Sequence, residues 1–334
     1  MPFIRPSKYK PAGLFKNTHF NTIYASNFKQ HPQPKYERER LQTLDDDFFD
    51  IDWLKRNSPK CVVLIHGFMG SSNSSYVRNA ANYYYRNGYD ICAINCRSAD
   101  GVPNKRVYTY HASFTDDLVL LVQHLQNLNQ YNYIIPMGYS LGGSILLNYL
   151  CRIYDHNDNF IRCAAAISTP LKLIEGAFLL SQFSNSPYMY HFRSKIQQLV
   201  SVKKKELVNF GIDVEALLKA KNFFEVDNLY TAKVFNFENS LDYYEKTSVL
   251  PHLHKLSVPT FLLNAKDDMM LGESSYPVKL SKKHANLYLE ISEYGGHLGF
   301  NQPNEQYYNE RIAWFIRSIV QKQHDEITAL EIAQ

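Results

Sequence analysis

Short, continuous apolar runs recur along the chain, each followed by a segment whose apolar positions return every three or four residues. "CVVLIHGF" (61–68), "DICAIN" (90–95), "YIIPMG" (133–138) and "CAAAIS" (163–168) are runs of the first kind. Their length, β-branched content and bounding Gly or polar residues predict buried strands. Between them, "SSYVRNAANYYYRNGY" (74–89) predicts a helix closed by Gly88, and "SFTDDLVLLVQHLQNL" (113–128) one capped by Ser113 or Thr115. "LGGSILLNYLCRIY" (141–154) predicts a third. Upstream, "DDDFFDIDWL" (45–54) alternates acidic and apolar residues, the pattern of a half-exposed strand. Strands without alternation, interleaved with helices, predict a mostly parallel sheet covered on both faces, an α/β architecture.

The rhythm breaks after Pro170. Residues 171–255 carry helical, aromatic and polar stretches but no clear buried strand, and are expected to form an inserted helical cap. Strand patterns return in "PTFLLNA" (259–265) and "NLYLEIS" (286–292), and a helix over 304–323 closes the body. The expected organisation is a wrapping segment over 1–45, a body of 46–170 plus 256–323, the cap over 171–255 and a tail over 324–334.

Composition narrows the class. The chain has 334 residues, 45% hydrophobic and 20% charged, enough for a sizeable core. Its 25 tyrosines and 20 phenylalanines suggest an aromatic core or apolar pocket. The net charge of +4 excludes a strongly basic nucleic-acid binder, and the one compact basic run, Lys203–Lys205, reads as a solvated helix face. Four of the five cysteines lie in apolar runs, no CxxC pair or secretory leader is present, and a cytoplasmic protein is expected. No apolar run reaches the roughly 18–20 residues of a membrane span, and Pro2 occupies the place where myristoylation needs glycine.

Candidate chemistry centres on "GYSLG" (138–142), which fits the G-x-S-x-G nucleophile elbow. The pentapeptide arises by chance in about one such chain in ten, but here a strand precedes it and a helix follows. The elbow needs small neighbours because the serine backbone is strained and tips its hydroxyl out of the sheet edge. Ser140 needs a base, and the base needs an acid. On this kind of fold the chain order is Ser, acid, His. "LLNAKDD" ends a strand with Asp267 and Asp268, and "SEYGGHLGF" places His297 in a Gly-flanked loop after the next strand. Asp268 is preferred, because the small Ala265 stands three positions before it; Asp267 remains an alternative. Gly295 and Gly296 are expected to let the imidazole approach the serine. The backbone N–H groups of Phe68, in "HGFMG", and of Leu141 are the candidate oxyanion donors. His66 reads as structural, and His111 as tying its loop to the body. His252 and His254 lack a carboxylate or thiol at ligand spacing, so no metal is expected. No Gly-rich nucleotide motif occurs, and no cofactor is expected.

These motifs resemble the YheT-like branch of the α/β-hydrolase superfamily. "NTHFNTIYAS" (17–26) is similar to its N-terminal motif, with Phe20 and Asn21 in place of the usual Leu and Gln. "RERLQTLDDDFFDIDW", "HGFMGSSNSSYVRNAA", "NCRSADGVPN", "YHASFTDDL", "GYSLGGSILLNYL", "NAKDD" and "GGHLGF" resemble successive family blocks. An acidic residue is common in the family where Met69 stands, Gly-Cys is usual where Ser98-Ala99 stand, and the proline that often follows the paired aspartates is absent. The resemblance implies an α/β-hydrolase fold and a serine hydrolase acting on carboxylic esters, including lipid esters. Animal relatives carry an N-terminal membrane anchor; this chain starts at the soluble part, so an anchor is not carried over.

The function expected is ester hydrolysis through an acyl-enzyme on Ser140, with His297 as base and Asp268 as acid. The substrate would be a small-molecule ester with an apolar acyl group, held by the Phe- and Tyr-rich stretch 178–192. Thioester or amide hydrolysis by the same triad is one alternative. A non-catalytic binder on a hydrolase scaffold is another, against which the intact Ser, Asp and His argue.

Overall fold

The computed structural model describes residues 7–29, 31–155, 158–302 and 307–332, without the side chains of 183 and 322–332. Its eight strands are β1 (Glu37–Gln42), β2 (Phe48–Leu54), β3 (Lys60–Ile65), β4 (Asp90–Asn95), β5 (Tyr133–Tyr139), β6 (Ala164–Ile167), β7 (Thr260–Ala265) and β8 (Leu287–Ser292). They form one sheet in the order β1-β2-β4-β3-β5-β6-β7-β8. β2 runs antiparallel to β1 and β4, and every pairing from β4 to β8 is parallel. The helices are α1 (Thr18–Ile23), α2 (Ser75–Arg86), α3 (Asp116–Asn127), α4 (Leu141–Arg152), α5 (Leu173–Leu180), α6 (Ser186–Asn209), α7 (Val214–Lys219), α8 (Phe223–Val226), α9 (Ala232–Val234), α10 (Ser240–Thr247), α11 (Val278–Ser281) and α12 (Tyr307–Ile332).

The continuous apolar strands are buried because both faces of the sheet are covered. One core joins Val63, Ile65 and Leu262 to α3 and α4; the other joins Val62, Leu64 and Leu263 to α2 and α12. Helix α4 is apolar nearly all round and is buried over ten of its twelve residues, as a helix between sheet and neighbours must be.

Several expectations change. β2 is buried along almost its whole length rather than half exposed. Its acidic side chains are covered by β1: Arg38 grips Asp52 at 2.8 and 2.9 Å, and Arg40 grips Asp50 at 2.7 and 2.9 Å. Residues 37–42, read as part of the wrapping segment, are therefore an edge strand. Thr115 occupies the N-cap of α3 without a side-chain capping bond. The last helix extends to Ile332, through most of the stretch expected as a tail; residues 303–306 and 333–334 lie outside the described residues.

All described elements between β6 and β7 are helical. Their own apolar cluster includes Ile196, Leu199, Leu207, Leu217 and Val226. Lys204 and Lys205 are exposed, but Lys203 is fully buried, correcting the reading of a wholly solvated basic face. It sits where α6 loses helical geometry, and its Nζ donates to the Asn104 carbonyl, Asn104 Oδ1 and the Arg106 carbonyl. Three fixed acceptors satisfy a lysine that apolar neighbours alone would not tolerate. Burial still lowers its pKa to about 8. Among the described residues no helix is long and apolar enough to cross a membrane.

Candidate active site

Ser140 follows β5 directly and precedes the first residue of α4, with φ 54° and ψ −123°. Non-glycine residues avoid this region, and the surroundings must hold it there. The Ser140 amide donates to Ile167 O at 2.9 Å, and the Gly143 amide donates back to Ser140 O at 2.9 Å. The glycines of the elbow are contact residues. A Cβ on Gly138 would stand 2.6 Å from Gly143 Cα, and one on Gly142 would run into the Ile65 and His66 carbonyls at the end of β3.

β7 ends at Ala265, and the chain turns through Asp267 and Asp268. The loop after β8 brings His297 across. Its Nε2 lies 2.8 Å from Ser140 Oγ, and its Nδ1 lies 2.9 and 3.1 Å from the two oxygens of Asp268. Asp268 is buried and also accepts the Met270 amide at 2.9 Å. Asp267 faces the other way: its Oδ1 accepts the Gly296 amide at 2.9 Å, and burial raises its pKa. The contacts that demand glycine at 295 and 296 lie away from the serine. A side chain on Gly296 would strike Thr18 and Thr22 of α1, and one on Gly295 would strike Phe300 and Ala265.

The loop after β3 is held by two tyrosines. Tyr76 OH accepts the Gly67 amide at 2.9 Å, and Tyr110 OH accepts the Met69 amide at 2.6 Å while donating to Gly67 O at 3.3 Å. The amides on either side of Phe68 are thus occupied. Gly67 abuts Ser140, since a Cβ there would come 3.0 Å from Ser140 Cβ. His66 is fully buried; its Nδ1–H donates to Gly67 O at 2.7 Å and its Nε2 accepts the Cys96 amide at 3.1 Å. Burial lowers its pKa to about 4, so it is a neutral strut. His111 accepts the Ser113 amide of its own loop and packs 4.5 Å from the Phe235 ring. It therefore ties its loop to the helical insertion, not to the body.

Ser140 and His297 border two cavities. The inner one, about 130 Å³, runs under the insertion between Leu141, Leu173, Ala177, Leu180, Phe223 and Tyr244. The outer one, about 450 Å³, opens between the Thr22–Asn27 segment and α6. Phe68, Phe192 and Met270 stand on both. Of the described side chains in 178–192, only Leu180 and Phe192 face the inner cavity; Pro187, Tyr188, Tyr190, His191 and Phe192 face the outer one.

Tyr76, Tyr110 and Thr22 were not singled out in the sequence. Thr22 Oγ1 accepts the His297 amide at 2.9 Å across 275 residues. Each lies inside a stretch that carries the family resemblance, but nothing local marks a role.

Fold and site together define an α/β-class hydrolase. The family model described as "alpha/beta hydrolase fold" matches residues 60–302. Putative esterase YheT of Escherichia coli is 26% identical over 304 residues, spanning 89% of this chain and 88% of that one. Human phospholipase ABHD3 is 26% identical over 318 residues, spanning 88% and 75%. Among solved structures, Pyrococcus furiosus esterase Pf2001 superposes with a TM-score of 0.60 at 17% identity, covering 86% of this chain and 94% of that one. The chain belongs to the α/β-hydrolase fold family and is a member of its YheT-like branch.

Proposed function

We propose that this protein is a serine esterase that cleaves carboxylic esters through an acyl-enzyme on Ser140. The observation that carries the reading is the unbroken chain from Ser140 Oγ through His297 to Asp268, at 2.8 and 2.9 Å. His297 Nε2 takes the hydroxyl proton as Oγ attacks the ester carbonyl, and the Asp268 carboxylate stabilises the imidazolium. The Phe68 and Leu141 amides receive the oxyanion: Leu141 opens α4, where N–H groups lack intrahelical partners, and Phe68 lies between two amides pinned by tyrosines. His297 then protonates the departing alcohol, and water repeats the sequence to free the acid. The inner apolar cavity takes the acyl group and the wider outer one the alcohol. The printed names of the relatives, esterase and phospholipase, agree with ester chemistry.

The test is fluorophosphonate labelling beside hydrolysis of p-nitrophenyl esters and acyl-CoA thioesters. Wild type should label and Ser140→Ala should not. Absence of labelling in wild type overturns the reading; turnover of thioesters alone replaces the ester with a thioester.

A further inference from the structure

Two segments frame the outer cavity, and they share an unusual composition. Residues 7–36 hold five lysines and no Asp or Glu; residues 176–205 hold Arg193 and four lysines, again with no Asp or Glu. In a chain with 32 acidic residues, both acid-free stretches border the same opening. Ser26 and Asn27 line it from one side, Tyr190 and Ser194 from the other. The two sides are joined where His19 stacks on Tyr188 at 5.7 Å and hydrogen-bonds its hydroxyl at 2.9 Å.

This rim is also apolar on its outside. Phe15, Phe20, Tyr24 and Phe28 form a continuous ring-on-ring ladder, with successive centroids 5.3 to 6.4 Å apart. Phe28 is 68% exposed, Leu14 69% and Tyr190 78%. Large apolar side chains so exposed, interleaved with basic residues, have a physical use at a bilayer surface. Rings enter the headgroup boundary, and Lys and Arg meet anionic phosphates. Lys16 follows Phe15 in the chain, and Arg193 and Lys221 share a shallow depression with Tyr190. Glu225, whose carboxylate lies beside Lys221, is engaged by the Lys221 amide and the Asn222 side chain.

We infer that the aromatic, acid-free rim of the outer cavity docks on an anionic lipid surface, with the cavity mouth facing the membrane. An ester lying in the bilayer would then reach Ser140 without crossing water. That consequence rests on the esterase reading; the docking itself does not, and it is measured without turnover.

The experiment is co-sedimentation of the full chain with vesicles of phosphatidylcholine, alone and mixed with phosphatidylglycerol. The protein should pellet with the mixed vesicles and be released by salt. Lys16→Gln/Lys221→Gln should weaken partitioning by about thirtyfold, about fivefold per charge. Leu14→Ser/Phe28→Ser should weaken it through lost apolar insertion. Both double variants touch only the outer rim and should hydrolyse a small water-soluble ester at the wild-type rate, which also reports that they fold. No sedimentation with either vesicle overturns the inference, as does sedimentation that neither double variant changes. Binding to poly-glutamate without binding to vesicles overturns it in favour of an acidic protein partner.

Discussion

Paired aspartates follow β7, and the geometry assigns them different work. Asp268 places both oxygens on His297 Nδ1, whereas Asp267 clamps the Gly296 amide and lends its carbonyl to the Thr18 hydroxyl at 2.6 Å. Asp268→Asn keeps the shape and removes the charge. If the new NH2 faces Nδ1, it forces the imidazole proton onto Nε2, opposite Ser140 Oγ, and no base remains. If the amide oxygen faces Nδ1, the tautomer survives but the imidazolium loses its counter-charge. With about 4 Å between charge centres and an effective dielectric of about 20, that attraction is about 4 kcal/mol. The corresponding substitution in a serine-protease triad costs about 10⁴ in kcat, which is about 5.4 kcal/mol at 1.36 kcal/mol per decade. Loss of the counter-charge alone, about three decades, is thus nearly as costly as the wrong tautomer, and either orientation of the new amide predicts a fall of about 10³–10⁴ in kcat. Asp267→Asn keeps an oxygen for Gly296, and burial already disfavours the charge there. Its kcat should fall by less than about tenfold. Initial rates on a p-nitrophenyl ester, with thermal melts showing that both variants fold, decide the matter. Equal losses in the two variants, or an Asp268→Asn enzyme keeping more than about a tenth of kcat, would refute the assignment.

Tyr110→Phe should strand the buried Met69 amide, cost about 1–3 kcal/mol in urea unfolding, and lower kcat by about ten- to a hundredfold as the Phe68 amide loses its fixed place. Thr22→Val removes the acceptor of the His297 amide and should lower kcat with little change in KM, and Thr22→Ser should restore it; an unchanged Thr22→Val rate would show that the loop holds its own shape. Lys203 has a folded pKa of about 8 against 10.5 in its ordinary state. The unfolded chain therefore binds the extra proton between these values, and stability rises with pH across that window by up to about 1.4 kcal/mol per unit. Lys203→Met should abolish that rise, measured as the pH dependence of the urea midpoint relative to wild type.

The strands and the elbow were legible because they are local. An apolar run that ends in a glycine is recorded in a handful of neighbouring residues, and so is G-x-S-x-G. The parallel core from β3 to β8 follows from such runs, and Ser140 Oγ and His297 Nε2 lie 2.8 Å apart at its edge. β2 misled because its alternation was real but its partner was not visible. Arg38 and Arg40, themselves exposed, cover the buried carboxylates of a face that looks solvated, and no rule of strand periodicity contains that pairing. Lys203 misled for the same reason: three lysines in a row fix their own spacing on a helix, not the carbonyls of Asn104 and Arg106 that wait for one of them.

The N-terminal segment carries this furthest. Its sequence is polar and weakly periodic, so it reads as wrapping. In the structure it is the outer buttress of the site. Thr18 holds the Asp267 carbonyl, Thr22 the His297 amide, and Asn21 meets Asn301 beyond the histidine loop at 2.7 Å. A side chain on Gly299 would strike Asn21, and one on Gly296 would strike Thr18 and Thr22. Gly296 and Gly299 therefore answer to α1 rather than to the serine. A segment with little core of its own fixes the loop that carries His297, and its contacts span some 250 to 280 residues of chain. Contacts of that separation leave no periodic trace in a single sequence. The part of the site easiest to read was thus the Ser140 elbow, and the hardest was the scaffold that keeps the His297 loop in place.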